Sequence, residues 1–215
     1  MAVLAAGRRT PLGDLYAEHP DGVPSSIDAT LVRTTVVPER SGEGPIEVLD
    51  LTRYARFGIK GKGASDWLRS KAIPLPEPVN TLAPVASRKL DLVRLGAEDY
   101  LVLPQSLGEP ASLAALRSEW ESDGRERKGF NSWREEVWAW FHIHGANVAD
   151  FLAKTCPVDL NADRLPLRSV VQTRVAQMDC ILVRTDRTND HGFDLFFDVA
   201  SANFMMSSLK ELGAA

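Results

Sequence analysis

Phe57-Gly-Ile59-Lys-Gly61, followed by Asp66-Trp67-Leu68, returns later in the chain as Phe141-His-Ile143-His-Gly145, followed by Asp150-Phe151-Leu152. The offset is constant, so Phe57, Gly61 and Leu68 match Phe141, Gly145 and Leu152 without slippage. Alternating apolar positions, then a glycine, then an acidic-aromatic-leucine step predict a strand, a tight turn and an amphipathic helix. Glycine suits the turn because it accepts backbone angles that a Cβ forbids. A unit used twice predicts two related halves, and that constrains the fold more than the chemistry.

Working outward, the first half adds a strand at Glu47–Leu51, a helix from about Ala64 to Lys71, and an extended connection where Pro74, Pro76 and Pro78 end that helix. Leu90–Leu95 and Tyr100–Leu103, joined by Gly96-Ala-Glu-Asp, have the pattern and loop length of a hairpin. Leu113, Leu116 and Trp120 fall three and four apart on a connecting helix. The second half repeats the scheme. Val137–His144 is a predicted strand, and Asn147 is a candidate cap for a helix running to about Lys154. Strands follow at Val170–Ala176, Cys180–Val183 and Phe193–Val199, with Ser201 a candidate cap for a closing helix. Strands and helices interleave without a βαβ rhythm, so the expected class is α+β with mostly antiparallel sheets. The expected organisation is an extended proline-rich arm over residues 1–45 with one strand, Leu31–Val37, then a single domain over 46–215. Its half repeats cover about 46–108 and 130–215.

The 215 residues, 44% hydrophobic and 25% charged, are enough for a real core and too apolar for disorder. A net charge of −4 argues against nucleic acid as a partner, which would call for a basic face. No apolar run reaches the roughly 18 residues of a membrane span. The opening Met1-Ala-Val-Leu-Ala-Ala-Gly-Arg-Arg puts its charges after a short apolar patch, the reverse of a signal peptide. Cys156 and Cys180 form no CxxC, so a reduced, cytoplasmic setting is expected.

Several short motifs invite chemistry. Gly61-Lys-Gly63 continues Ala-Ser rather than ending in Lys-Ser/Thr, and Asp66 stands where a dinucleotide fingerprint needs its third glycine, so it reads as a strand-to-helix turn. His142-Ile-His144 puts two imidazoles on one strand face, a spacing that metal sites use, with Asp190 and His191 as possible further ligands. The matching positions in the first half are Gly58 and Lys60, so this is no built-in ligand face, and no metal is expected. Trp138 and Trp140 share the histidine face while Val137, Ala139, Phe141 and Ile143 point the other way. Such a strand is either sandwiched in the protein or offers Trp138, Trp140, His142 and His144 to a partner. Cys156 has no neighbouring base in sequence to activate it and reads as structural.

Asp50-Leu-Thr-Arg-Tyr-Ala-Arg-Phe-Gly-Ile-Lys-Gly-Lys-Gly-Ala-Ser-Asp-Trp-Leu68, with Leu92-Val-Arg-Leu-Gly-Ala-Glu-Asp-Tyr-Leu-Val-Leu103, resembles the folate-binding domain of the glycine-cleavage T-protein (aminomethyltransferase) superfamily. Cys156-Pro-Val-Asp-Leu160, Gln172-Thr-Arg-Val-Ala176 and Ile181-Leu-Val-Arg184 resemble the gamma-subunit family of heterotetrameric sarcosine oxidase in particular. The resemblance spans about Asp50 to Leu212. It implies a non-catalytic subunit of a complex that oxidatively demethylates sarcosine or a related N-methyl amine and passes the carbon to tetrahydrofolate. It further implies a larger alpha subunit as partner, with beta and delta subunits. FAD, FMN, NAD and tetrahydrofolate would sit on those other chains, and no catalytic or cofactor-binding residue on this one. Folate-using relatives carry an acidic residue ahead of the strand matching Val93-Arg-Leu95. Here that place falls near Arg88-Lys89, with Asp91 as the alternative carboxylate. The resemblance leaves two rivals: a stand-alone tetrahydrofolate-binding, aminomethyltransferase-like protein, and a structural relative in another assembly.

Overall fold

A computed structural model describes residues 10–13, 23–24, 32–38, 44–107, 111–124 and 128–214. Its early strands are β1 (Val23–Pro24), β2 (Val32–Val37), β3 (Ile46–Asp50) and β4 (Phe57–Lys60), followed by helix α1 (Ala64–Ser70). Next come β5 (Thr81–Val85), β6 (Leu90–Gly96), β7 (Asp99–Pro104), α2 (Ala111–Ser122), β8 (Phe130–Asn131) and α3 (Arg134–Val137). The remainder is β9 (Trp138–His144), α4 (Val148–Ala153), β10 (Val170–Val175), β11 (Met178–Arg184), β12 (Gly192–Asp198) and α5 (Ala202–Ala214). The chain divides into two compact units, one built on Tyr54–Val137 and the other on Arg9–Arg53 together with Trp138–Ala215.

The first unit holds an antiparallel sheet in the order β5-β6-β7-β4-β8. Phe57 and Ile59 of β4 point into its core with Trp67 and Leu68 of α1 and Leu92, Tyr100 and Val102 of the hairpin. Leu113, Leu116 and Trp120 close that core from α2, as their spacing predicts. Trp67 and Trp120 meet edge to face at 4.8 Å, a geometry that aromatic quadrupoles favour.

The second unit holds a larger antiparallel sheet, β1-β2-β3-β9-β12-β11-β10 among the described residues. Phe141 and Ile143 of β9, Phe151 and Leu152 of α4, Phe193, Leu195 and Phe197 of β12, and Met205, Met206 and Leu209 of α5 form one core.

The repeat is present in full. In each unit a strand turns into a short helix and the chain then runs a three-stranded meander back onto that first strand: β4–α1–β5–β6–β7 once, β9–α4–β10–β11–β12 again. Gly61 and Gly145 make the turns at φ 98° and 145°. The Ala64 amide donates to the Gly61 carbonyl at 2.9 Å, and the Val148 amide donates to the Gly145 carbonyl at 3.2 Å. One turn on, Trp67 bonds Gly63 and Phe151 bonds Asn147, both at 3.0 Å. Phe57 and Phe141 therefore occupy like places on like strands.

Several details differ from the sequence reading. Val137, expected to open β9 on its core face, closes α3 instead and is exposed. Strand β3, read there as part of the first half, pairs with β2 and β9 in the second unit's sheet. Strand pairing is non-local, so the alternation of Glu47–Leu51 predicts a strand but not its neighbour. The Asn147 side chain makes no capping bond. Asp198 instead accepts from the Ala200 amide at 2.8 Å and opens the 3-10 turn leading into α5, in which Ser201 lies. The strand expected at Leu31–Val37 is β2, described from Val32; the rest of the arm, apart from 10–13, 23–24, 38 and 44–45, lies outside the described residues. Thr10 donates to Asp50, and Leu12 is buried in the second unit's core.

Candidate functional site

The face of β9 opposite the core carries the four residues marked in the sequence, and the structure treats them unequally. Trp138 is half-buried, whereas Trp140 and His142 are 0% exposed and His144 is 7% exposed. Register sets what each meets: on β12, Asp194 lies opposite His142 and Phe196 opposite Trp140, while Glu47 of β3 lies opposite His144.

A dry polar chain results. His142 Nδ1 donates to Asp194 Oδ1 at 2.9 Å, and Arg187 Nε donates to Asp194 Oδ2 at 2.7 Å. The Arg187 guanidinium also lies 5.0 Å from the centre of the Trp140 ring, in cation–π range. Trp140 packs on Phe196 at 5.4 Å, and Phe196 on Trp138 at 6.1 Å. Burial works to raise the Asp194 carboxyl, but the Arg187 charge and the His142 bond outweigh it and hold it below the usual carboxylate range. Asp194 is therefore an anion with no exposure, balanced by Arg187. His191, at the end of the β11–β12 loop, is pushed below its ordinary range by burial and by the Arg184 charge.

The two imidazoles of β9 stack at 5.4 Å with planes 20° apart. Stacked rings aim their nitrogens side by side rather than at a common point. His142 already spends Nδ1 on Asp194. Its Nε2 is buried with no hydrogen-bond partner among the described residues. That edge faces Gly192, where a Cβ would stand 2.9 Å from Nε2, so only glycine leaves room for the ring. His144 approaches Asp190 at 3.6 Å and Glu47 at 3.9 Å, distances that suit ion pairing of a protonated ring rather than hydrogen bonds. Among the described residues no three His, Cys, Asp or Glu side chains are grouped to hold a metal ion.

The remaining motifs have structural occupations. At Gly61–Gly63 the chain turns from β4 into α1, and the Ser65 amide there donates to the Glu98 carboxylate at 2.9 Å. That carboxylate takes the helix-end position a phosphate would use. Opposed by its own partial burial, it is drawn below its ordinary range by bonds from Ser65 and Gly63. Arg88 holds Glu119 of α2 at 2.7 Å and the Lys71 carbonyl at 3.1 Å, while Asp91 accepts from Gln105 at 3.2 Å. Both cysteines are buried and unbridged, and burial foremost pushes the Cys180 thiol up to about 12, far from a nucleophilic thiolate at neutral pH.

Sequence reasoning missed Asp194 and Arg187, which give His142 its setting. One signal was available: Asp194 stands on an otherwise apolar strand, Phe193-Asp-Leu-Phe-Phe, where an acid needs a partner.

A strand–turn–helix–meander unit used twice, with all sheet pairing antiparallel, is a fold that this chain shares with solved structures. Two of the solved structures that match show the likeness. Heterotetrameric sarcosine oxidase from Corynebacterium sp. U-96, in complex with pyrrole 2-carboxylate, contains a chain that matches with TM-score 0.67 and 18% identity, over 96% of this chain and 95% of that one. The glycine cleavage system aminomethyltransferase T from Bartonella henselae matches with TM-score 0.54 and 18% identity, over 74% of this chain and 44% of that one. This chain thus spans less than half the length of the aminomethyltransferase. No protein-family model matches the sequence, and no curated protein matches it. Among the described residues no helix is long and apolar enough to cross a membrane.

Proposed function

We propose that the chain is a non-catalytic, gamma-type subunit of a flavin-dependent heterotetrameric oxidase of sarcosine or a related N-methyl amine. In this reading it assembles and stabilises the complex by docking on a larger alpha subunit, alongside beta and delta subunits. The observation that carries the reading is the near-complete mutual coverage with a sarcosine oxidase chain, 96% and 95%, against 44% of the aminomethyltransferase. A match over both whole chains is what one subunit type predicts; a match to part of a longer transferase is what shared ancestry of a domain predicts. The groups on this chain are in keeping: His142 and Asp194 are sealed, Cys180 is held protonated, and the Gly61–Gly63 turn is filled by Glu98. FAD, FMN, NAD and tetrahydrofolate then belong to the other subunits.

Affinity purification of the full chain from its native cells, followed by an absorbance spectrum, tests the reading. A co-purifying larger subunit with flavin bands supports it, as does a colourless, sarcosine-inactive chain when purified alone. Flavin bound to the isolated chain overturns it. Titration with tetrahydrofolate separates the rival in which this chain is itself a folate protein, since stoichiometric binding would favour that rival.

A further inference from the structure

Strands β11 and β12 begin as neighbours and then part. Their pairing runs from Arg184–Phe193 to Ile181–Phe196 and stops there, although β11 starts three residues earlier, at Met178, and β12 runs two residues further, to Asp198. Below the split, β11 stays paired with β10 down to Met178–Val175, and β12 stays paired with β9 down to Asp198–Trp138. The sheet is therefore forked, and a cleft of about 700 Å³ lies in the fork. Its apolar wall is Trp138, Ile181, Phe196 and Pro157.

Backbone groups of an antiparallel strand alternate between its two neighbours. About half of those in Met178–Cys180 and Phe197–Asp198 consequently point across the fork rather than at β10 or β9. Unpaired strand edges are a template for another extended chain, and two facing edges accept one from both sides. The rim adds charge: Asp179 and Asp198 are exposed, with Arg174 the cation beside them, bonded to Asp179 at 3.0 Å.

We infer that this fork is a docking slot for a short extended polypeptide segment of the larger subunit, an inference that rests on the subunit reading above. The segment pairs its main chain with the two open edges and lays an apolar side chain on Trp138, Ile181 and Phe196. Two rim carboxylates against one cation select a lysine or arginine beside that apolar residue. Of the four β9 residues marked in the sequence, Trp138 alone lines the slot.

Hydrogen exchange of the full chain, alone and in complex with the co-expressed larger subunit, tests this. Amides within Met178–Cys180 and Phe197–Asp198 that face the fork are expected to slow about tenfold or more on assembly. Asp179→Lys reverses the rim charge at a fully solvated position, and it is expected to weaken assembly by about tenfold while far-UV circular dichroism stays unchanged. A complex that forms with those amides unchanged overturns the slot and leaves the subunit reading standing. Protection that grows with the concentration of the free chain assigns the slot to a second copy and equally overturns it. Failure of any complex to form overturns the subunit reading, and the slot falls with it.

Discussion

Strands β4 and β9 open the two repeats and solve the same problem in opposite ways. Both turn a phenylalanine and an isoleucine into their cores, Phe57 with Ile59 and Phe141 with Ile143, all at most 1% exposed. Their outer positions share nothing. At Gly58 the strand offers no side chain, because Ser132 and Arg134 occupy the volume a Cβ would need. Arg134 there makes a two-pronged bond to Asp99 at 2.9 and 3.0 Å, and Lys60 joins the same carboxylate at 2.9 Å from a position 48% exposed. At the matching His142, an imidazole fills the space and the Asp–Arg pair beside it is dry. The fold thus fixes the inward pattern and the turn glycine and leaves the outward pattern open. One repeat covers a bare glycine with the Ser132 and Arg134 side chains and a partly buried ion cluster; the other uses a sealed His–Asp–Arg chain.

That difference is sharpest at Asp194. Asp194→Asn takes the Asp194 charge away from the buried Arg187 and should cost about 3–5 kcal/mol, measured by urea unfolding of the purified chain. A loss under about 1 kcal/mol would show that solvent reaches the chain and that the two repeats are alike. Next in size, Gly58→Ala forces a methyl group against Ser132 and Arg134 and should cost about 1–3 kcal/mol in the same assay. If it is neutral, the cover over β4 is loose and the contrast with β9 dissolves.

Acid acts on the second unit, beside the sealed chain. His191 has a lowered folded value, so its contribution is present above the unfolded histidine pKa near ~6.5 and fades as pH falls through the lower folded value. Asp194 is lowered too; its contribution is present above the unfolded carboxyl value near ~4 and is lost at still lower pH. Melting temperature should therefore decline in two steps as pH falls from 7, and His191→Asn should remove the first step alone. A single carboxylate-range step in both proteins would refute this. Smallest of all, Lys60→Ala should change stability by about 1 kcal/mol or less, since the lysine is half solvated.

Much of this architecture could be read ahead of the structure where the signal was local. The repeated phrase predicted both turns, and the three–four spacing of Leu113, Leu116 and Trp120 predicted the buried stripe of α2. What failed needed distant partners. The mate of β3 lies some ninety residues on, and Asp194 and Arg187 reach His142 across a pairing that no local pattern declares. The stop of α1 was read from Pro74, yet Ala72 already leaves the helix at φ 56°, with Ile73 bonded back to Leu68 at 3.1 Å. Proline reinforces an end that the αL residue makes. The forked sheet was invisible for the same reason as the β3 pairing: Cys180–Val183 and Phe193–Val199 each read as an uninterrupted strand, and separation is a property of two strands together.

The order in which a ribosome delivers these segments gives the β3–β9 pairing a temporal meaning. Tyr54–Val137 is continuous and can close its sheet as soon as it emerges, whereas β3 emerges first and must wait for β9. At about 5–20 residues per second that wait is on the order of ten seconds. During it, Ile46, Val48 and Leu49, all buried in the finished protein, have only β2 to pair with and no full sheet to enter. The newborn chain thus carries an early strand with a long appointment, and this is the interval in which a chaperone, or a partner already in place, has most to offer it.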